Sequence, residues 1–223
     1  MAVTANLLTS GTVDAATGAT TASISPTAGN FVIIILGNYR AGANAQNPTI
    51  TGAGTTWNRQ LSQASADTFS AIHLFYAFAA GTGALTIAMS DVSHTNLKWS
   101  VIEFPGANLT SAIQQQVSNL AAATNTGITV TLSAFANSNN ATYGAVYDRA
   151  SRARTIGSGF SAVSNNSTTA TLVDEFNAGN DTTVDWTWDS AAVNVVAIAV
   201  EIIAAAVVAG TTHGYKSLLG VGV

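Results

Sequence analysis

"AAVNVVAIAVEIIAAAVVAG", residues 191–210, is the most hydrophobic stretch of the chain, and its reading decides the fold. A run of this length is enough to span a bilayer as a helix. Three features make it a strand instead. It is rich in β-branched residues (Val193, Val195, Val196, Ile198, Val200, Ile202), which lose side-chain freedom in helices and pack well on a pleated surface. Glu201 lies inside it, where an acidic residue at the middle of a membrane helix costs on the order of 3 kcal/mol. No basic residue directly flanks it as an interfacial anchor. The segment reads as a strand that is apolar on both faces.

An earlier stretch matches it. When the chain is slid by about 98 residues, Phe78, Ala80 and Gly81 fall on Phe176, Ala178 and Gly179. At the same offset Asp91 meets Asp189, Asn96 meets Asn194, and Glu103 meets Glu201, so "KWSVIEF" corresponds to "VAIAVEI". Upstream, "NFVIIILGNY" pairs with "GITVTLSAFA" and "TGAGTTW" with "TIGSGF". Strand-like runs recur throughout: "TTASISP", stopped by Pro26; residues 30–39; "FSAIHLFYAF"; "GALTIAMSD"; and 97–106, ended by Pro105-Gly106. The one helical candidate is 109–123, a short helix or a crossover between halves. The expectation is an all-β, jelly-roll-like β-sandwich built from two repeated halves, 1–106 and 107–205, followed by a C-terminal arm, 206–223. Continuous runs such as "VIIIL" need cover on both faces, and one large two-layer sandwich is expected to supply it.

Only 8% of the 223 residues are charged, against about 25% in ordinary globular domains. The polar surface must therefore be hydroxyls and amides, which repel one another weakly and favour packing against other copies. The net charge of −4 argues against a general nucleic-acid binder. With no cysteine, disulfides, thiolate metal sites and a cysteine nucleophile are excluded. The N-terminus has neither a basic n-region nor an apolar h-region, so synthesis in the cytoplasm without a signal peptide is expected.

No catalytic, cofactor or metal motif emerges. His73, His94 and His213 are scattered, with His73 on a strand and His94 on a turn. "GSGFS" (157–161) lacks the spacing of a nucleophile elbow. Glu103 and Glu201 occupy matched positions; they suit either paired carboxylates for glycoside cleavage or, the simpler reading, a shared structural role beside a backbone donor at a strand end. "DRASRAR" (148–154) concentrates Arg149, Arg152 and Arg154, while residues 173–189 hold Asp174, Glu175, Asp181, Asp185 and Asp189. These are exposed loops, or partners across a subunit interface, or sites for a phosphate or sugar acid on the arginines and for calcium on the acids. Trp186 and Trp188 share one face, as core or as an aromatic platform.

"GNFVIIILGNY", "GAGTTWNRQL", "IHLFYAFAAGTGALTIAMS" and "SVIEFPGA", in that order, resemble a β-sandwich unit of bacteriophage structural proteins and some bacterial surface proteins. Asn30 stands where that pattern usually opens on Asp. The resemblance implies a non-enzymatic virion component: a capsid decoration, minor capsid or fibre protein that forms homo-oligomers, trimers among them. Its partners would be further copies of itself and the major capsid or other virion proteins, with neither nucleic acid nor membrane. Arg149, Arg152, Arg154, Tyr215, Leu218 and Leu219 are the expected interface. The alternative is a carbohydrate-binding or adhesive module presenting Trp57, Trp99, Trp186 or Trp188 to a glycan. A glycan-cleaving enzyme would need Glu103 or Glu201 in an open cleft.

Overall fold

The computed structural model describes residues 2–89, 93–121, 124–192 and 194–206. Among these residues the fold is all-β, with sixteen strands and no helix. The first half supplies β1 (Asn6–Ala16), β2 (Gly18–Thr20), β3 (Phe31–Tyr39), β4 (Thr49–Gly52), β5 (Asn58–Ala64), β6 (Ser70–Phe78), β7 (Leu85–Ala88) and β8 (His94–Phe104). The second half supplies β9 (Ile113–Leu120), β10 (Asn125–Thr131), β11 (Ala141–Asp148), β12 (Thr155–Ile156), β13 (Ser161–Ser167), β14 (Thr171–Asn177), β15 (Thr183–Ala192) and β16 (Val196–Ile202).

The strands form four antiparallel sheets. The first half makes a five-stranded sheet, β1-β8-β3-β6-β5, and a three-stranded one, β2-β7-β4. The second makes β9-β16-β11-β14-β13 and β10-β15-β12. Strand for strand, the second order is the first with eight added, a likeness of topology whatever its origin.

The layers run three, five, five, three. Alternate side chains of each central strand serve two different cores. Ile33 and Ile35 of β3 and Ile102 and Phe104 of β8 meet Tyr143, Val196, Ile198, Val200 and Ile202 between the two broad sheets. Val32, Ile34 and Leu36 point the other way, onto Ile50, Leu85 and Ile87 of the first small sheet. Ala197 and Ala199 likewise face Val130, Val184 and Trp186 of the second. The opening stretch is therefore a strand covered on both faces, buried from Val196 to Ile202. No helix among the described residues is long and apolar enough to cross a membrane.

Several expectations are corrected. Two eight-stranded sandwiches stacked through their broad sheets replace the single two-layer sandwich. Of the expected helical segment 109–123, the described residues 109–121 contain no helix: β9 lies there, pairing with β16. "TTASISP" contributes only the end of β2 and an isolated bridge from Ile24 to Gly83. By strand order the counterpart of β3 is β11, not "GITVTLSAFA", the first half of which lies in β10. His94 opens β8, and its Nε2 accepts from the Gln46 N–H. His73 has the strand position and hydrogen bond expected of it, on β6 against Ser62.

Around the apolar centre, the two halves are joined by a polar rim. The buried Lys98 ammonium donates to Asn166 and Thr168 at 2.9 Å each and to Thr12 at 3.3 Å. Burial pulls its pKa down, and the Asp14 charge opposes this. The Tyr147 hydroxyl donates to Asn96. Asp67, in the β5–β6 turn, accepts from Arg149 and Asn194 of the other half. Burial pushes the Asp67 carboxyl up, but hydrogen bonds from Ser65 and the Phe69 N–H together with the Arg149 charge hold it below the usual value.

Candidate functional site

Glu103 and Glu201 are each the next-to-last residue of the closing strand of a half, and each is buried. Glu103 Oε1 accepts from the Thr27 backbone N–H at 2.7 Å and from Asn30 Nδ2 at 2.8 Å. Glu201 accepts from Asn140 Nδ2 at 2.6 Å and from Gln115 Nε2 at 2.7 Å. Asn30 immediately precedes β3, and Asn140 immediately precedes β11. The same clamp thus fastens the start of a central strand to the end of its neighbour in both halves. Buried charges persist when their lone pairs are filled in this way. Both carboxylates are committed to the scaffold rather than to an open cleft.

The arginines do not form a free basic patch. Arg152 and Arg154 both donate to Asp148, and Arg149 donates to Asp67. The Arg154 guanidinium also lies 4.3 Å from the centre of the Trp188 ring, and its side chain is fully buried, which removes it from any surface contact. Arg149 and Arg152 remain about a quarter exposed. Tyr215, Leu218, Leu219 and His213 lie outside the described residues.

The acidic stretch splits by strand alternation. Asp174 faces the inner core, where Tyr143 Oη donates to it at 2.9 Å and the Ser164 hydroxyl also donates. Burial raises its pKa to about 6. Glu175 faces the outer side, with Oε2 accepting from the Gly157 N–H at 3.1 Å. Burial, with the Asp185 and Asp181 charges adding to it, raises its pKa to about 8. Among the described residues, no group of three or more His, Asp or Glu side chains is placed to hold a metal ion.

Of the four tryptophans, Trp99, Trp186 and Trp188 are buried in core clusters. Trp57 is half-buried beside an open groove on the outer face of β5. The groove has a volume of about 450 Å³ and is lined by Asn47, Ile50, Trp57, Arg59 and Phe75. An adjoining hollow of about 280 Å³ shares Asn47 and Arg59. Sequence reasoning singled out Trp57 but missed Arg59: the two share a face by simple alternation, but strict alternation would also put Leu61 on that face, and a β-bulge at Gln60 separates Leu61 from them. Arg59 pairs with Phe75, Leu61 pairs with Leu74, and Gln60 is extra. Phe75 belongs to the outer cluster and Leu74 to the inner one. The bulge thus sends Leu61 into the core while aiming Arg59 outward beside Trp57.

Compared with protein-family models, with curated proteins and with solved structures, the chain shows no significant match to any.

Proposed function

We propose that the protein is a structural component of a bacteriophage particle, a capsid decoration or minor capsid protein that acts by self-association and by docking on the particle. Synthesis in the host cytoplasm and residence in the virion go with this reading, as does origin of the two halves by duplication of one eight-stranded unit. The observation that carries it is the fate of the chemistry-bearing side chains. Glu103 and Glu201 fasten strand ends, and Arg149, Arg152 and Arg154 pair with Asp67 and Asp148 within the chain. What remains for function is surface: neutral, rich in amides and hydroxyls, and bounded by sheet edges. The ordered motifs from "GNFVIIILGNY" to "SVIEFPGA" add the resemblance to virion sandwiches. The alternative, a carbohydrate-binding or adhesive module, loses three of its four tryptophans to the core and keeps Trp57.

The test is light-scattering mass after size exclusion, on the full chain and on a chain ending at 206. A trimer or larger assembly that dissociates without residues 207–223 is the expected result. A monomer in both forms at micromolar concentration would overturn self-association.

A further inference from the structure

We propose that the outer groove of β5 binds an acidic saccharide, a sugar chain bearing carboxylate groups, with Trp57 providing a ring for stacking and Arg59 pairing with the carboxylate. The site is independent of any role in a virus particle.

The architecture makes the groove. Each broad sheet has five strands and the small sheet covering it has three, so the outer face of edge strand β5 extends past its cover. The cavity left there, about 450 Å³, has the size of a small-ligand site. It combines three kinds of group that a sugar acid needs. The half-buried Trp57 indole offers apolar ring surface to the C–H face of a pyranose. The exposed Asn47 amide has both donors and an acceptor for ring hydroxyls. Arg59 supplies a planar guanidinium that takes a carboxylate through two parallel hydrogen bonds.

The state of Arg59 is what singles the groove out. Arg149, Arg152 and Arg154 are each bound to an aspartate. Arg59 is exposed and, like Arg40, has no carboxylate partner among the described residues, and of the two it is Arg59 that lines this groove with Trp57, in a chain whose net charge is −4. The scaffold does not require it: the second half has the same bulge, between Ala162 and Ser164, with Phe160 and Ala162 at the places of Trp57 and Arg59. Phe160 there is buried in the core cluster, and no cation takes the arginine's place. One free guanidinium beside an aromatic ring fits a single anionic sugar unit, whereas a nucleic-acid backbone calls for several cations along a track.

The experiment is calorimetric titration of the full chain with a hexuronate (oligogalacturonate or alginate hexamer), maltohexaose and adenosine monophosphate in parallel. Saturable hexuronate binding is expected, weakened about tenfold or more by Arg59→Gln, as loss of a charge-assisted hydrogen bond implies. Trp57→Ala should weaken it comparably, and maltohexaose should bind markedly less well. Arg59 is exposed on an edge strand, so Arg59→Gln should keep the parent melting temperature and remains a fair test if Trp57→Ala fails to fold. The proposal is overturned by absence of hexuronate binding at millimolar concentration, by affinity unchanged in Arg59→Gln, or by equal affinity for maltohexaose or adenosine monophosphate.

Discussion

At the scale of single residues, the fold depends on a few positions where nothing else fits. Gly37 on β3 is one: a methyl group there would come within 2.1 Å of the Tyr147 ring, which packs across from the other broad sheet. Gly37→Ala should therefore cost about 1–3 kcal/mol through overpacking, read as a shifted urea midpoint with an unchanged slope. Glu201 is another. Glu201→Ala would leave the buried Asn140 amide without its acceptor and remove one of the two acceptors of the half-buried Gln115 amide, which keeps the Ser133 carbonyl. A loss of about 3 kcal/mol is expected, and Glu103→Ala should lose a comparable amount because Asn30 and the Thr27 N–H stand in the same relation to it. A Glu201→Ala chain as stable as the parent would show that the clamp contributes nothing.

At the scale of elements, the segment after β11 is held by one carboxylate. Asp148 ends β11, accepts from the Ala150 N–H at 3.0 Å and receives both Arg152 and Arg154. Asp148→Ala would strand the buried Arg154 charge, at about 3–5 kcal/mol, whereas replacing both partners (Asp148→Leu with Arg154→Met) should recover most of the loss. Thermal melts of the single and double variants measure that difference. Legibility in the sequence also divides by element. The central strands β3, β6, β8 and β16 are visible as long apolar runs because they are covered on both faces. The edge strands are not. In β9, Ile113, Val117 and Leu120 sit at helical spacing, which is why 109–123 reads as a helix. In the structure Ile113 and Leu120 pack on the inner core and Val117 on the outer one. A bulge between Gln115 and Ile113 reverses the alternation and so brings two residues seven apart onto one face. The bulge at Gln60 hides the groove differently: strict alternation would turn Arg59 inward with Leu61, whereas the extra residue leaves Arg59 on the outer face with Trp57.

At the scale of the whole molecule, the buried titratable groups set an acid-shifted stability optimum. Glu175 titrates at about 8 in the fold against an ordinary 4.5, and Asp174 at about 6 against 3.8. In those windows the folded protein keeps protons that the unfolded chain has released, so stability falls as pH rises through each. His73 works the other way. Burial, with the Arg59 and His94 charges adding to it, lowers its pKa to about 3 from 6.5, so stability falls as pH drops through that range. The melting temperature should rise from pH 9 down to roughly pH 4–6 and fall below it, with Glu175→Gln flattening the alkaline limb. A melting temperature independent of pH between 6 and 9 would refute this account. The shared inner core has a different consequence, in the order of synthesis. β3, β6 and β8 leave the ribosome before β11, β14 and β16 exist to meet them, and at about 5–20 residues per second the interval lasts on the order of ten seconds. Throughout that interval the nascent first half presents a wide, greasy sheet face to its surroundings, able to stick to a second nascent chain or to be shielded by a chaperone. The pace at which the message's second half is translated therefore bears on yield as directly as any side chain in the core.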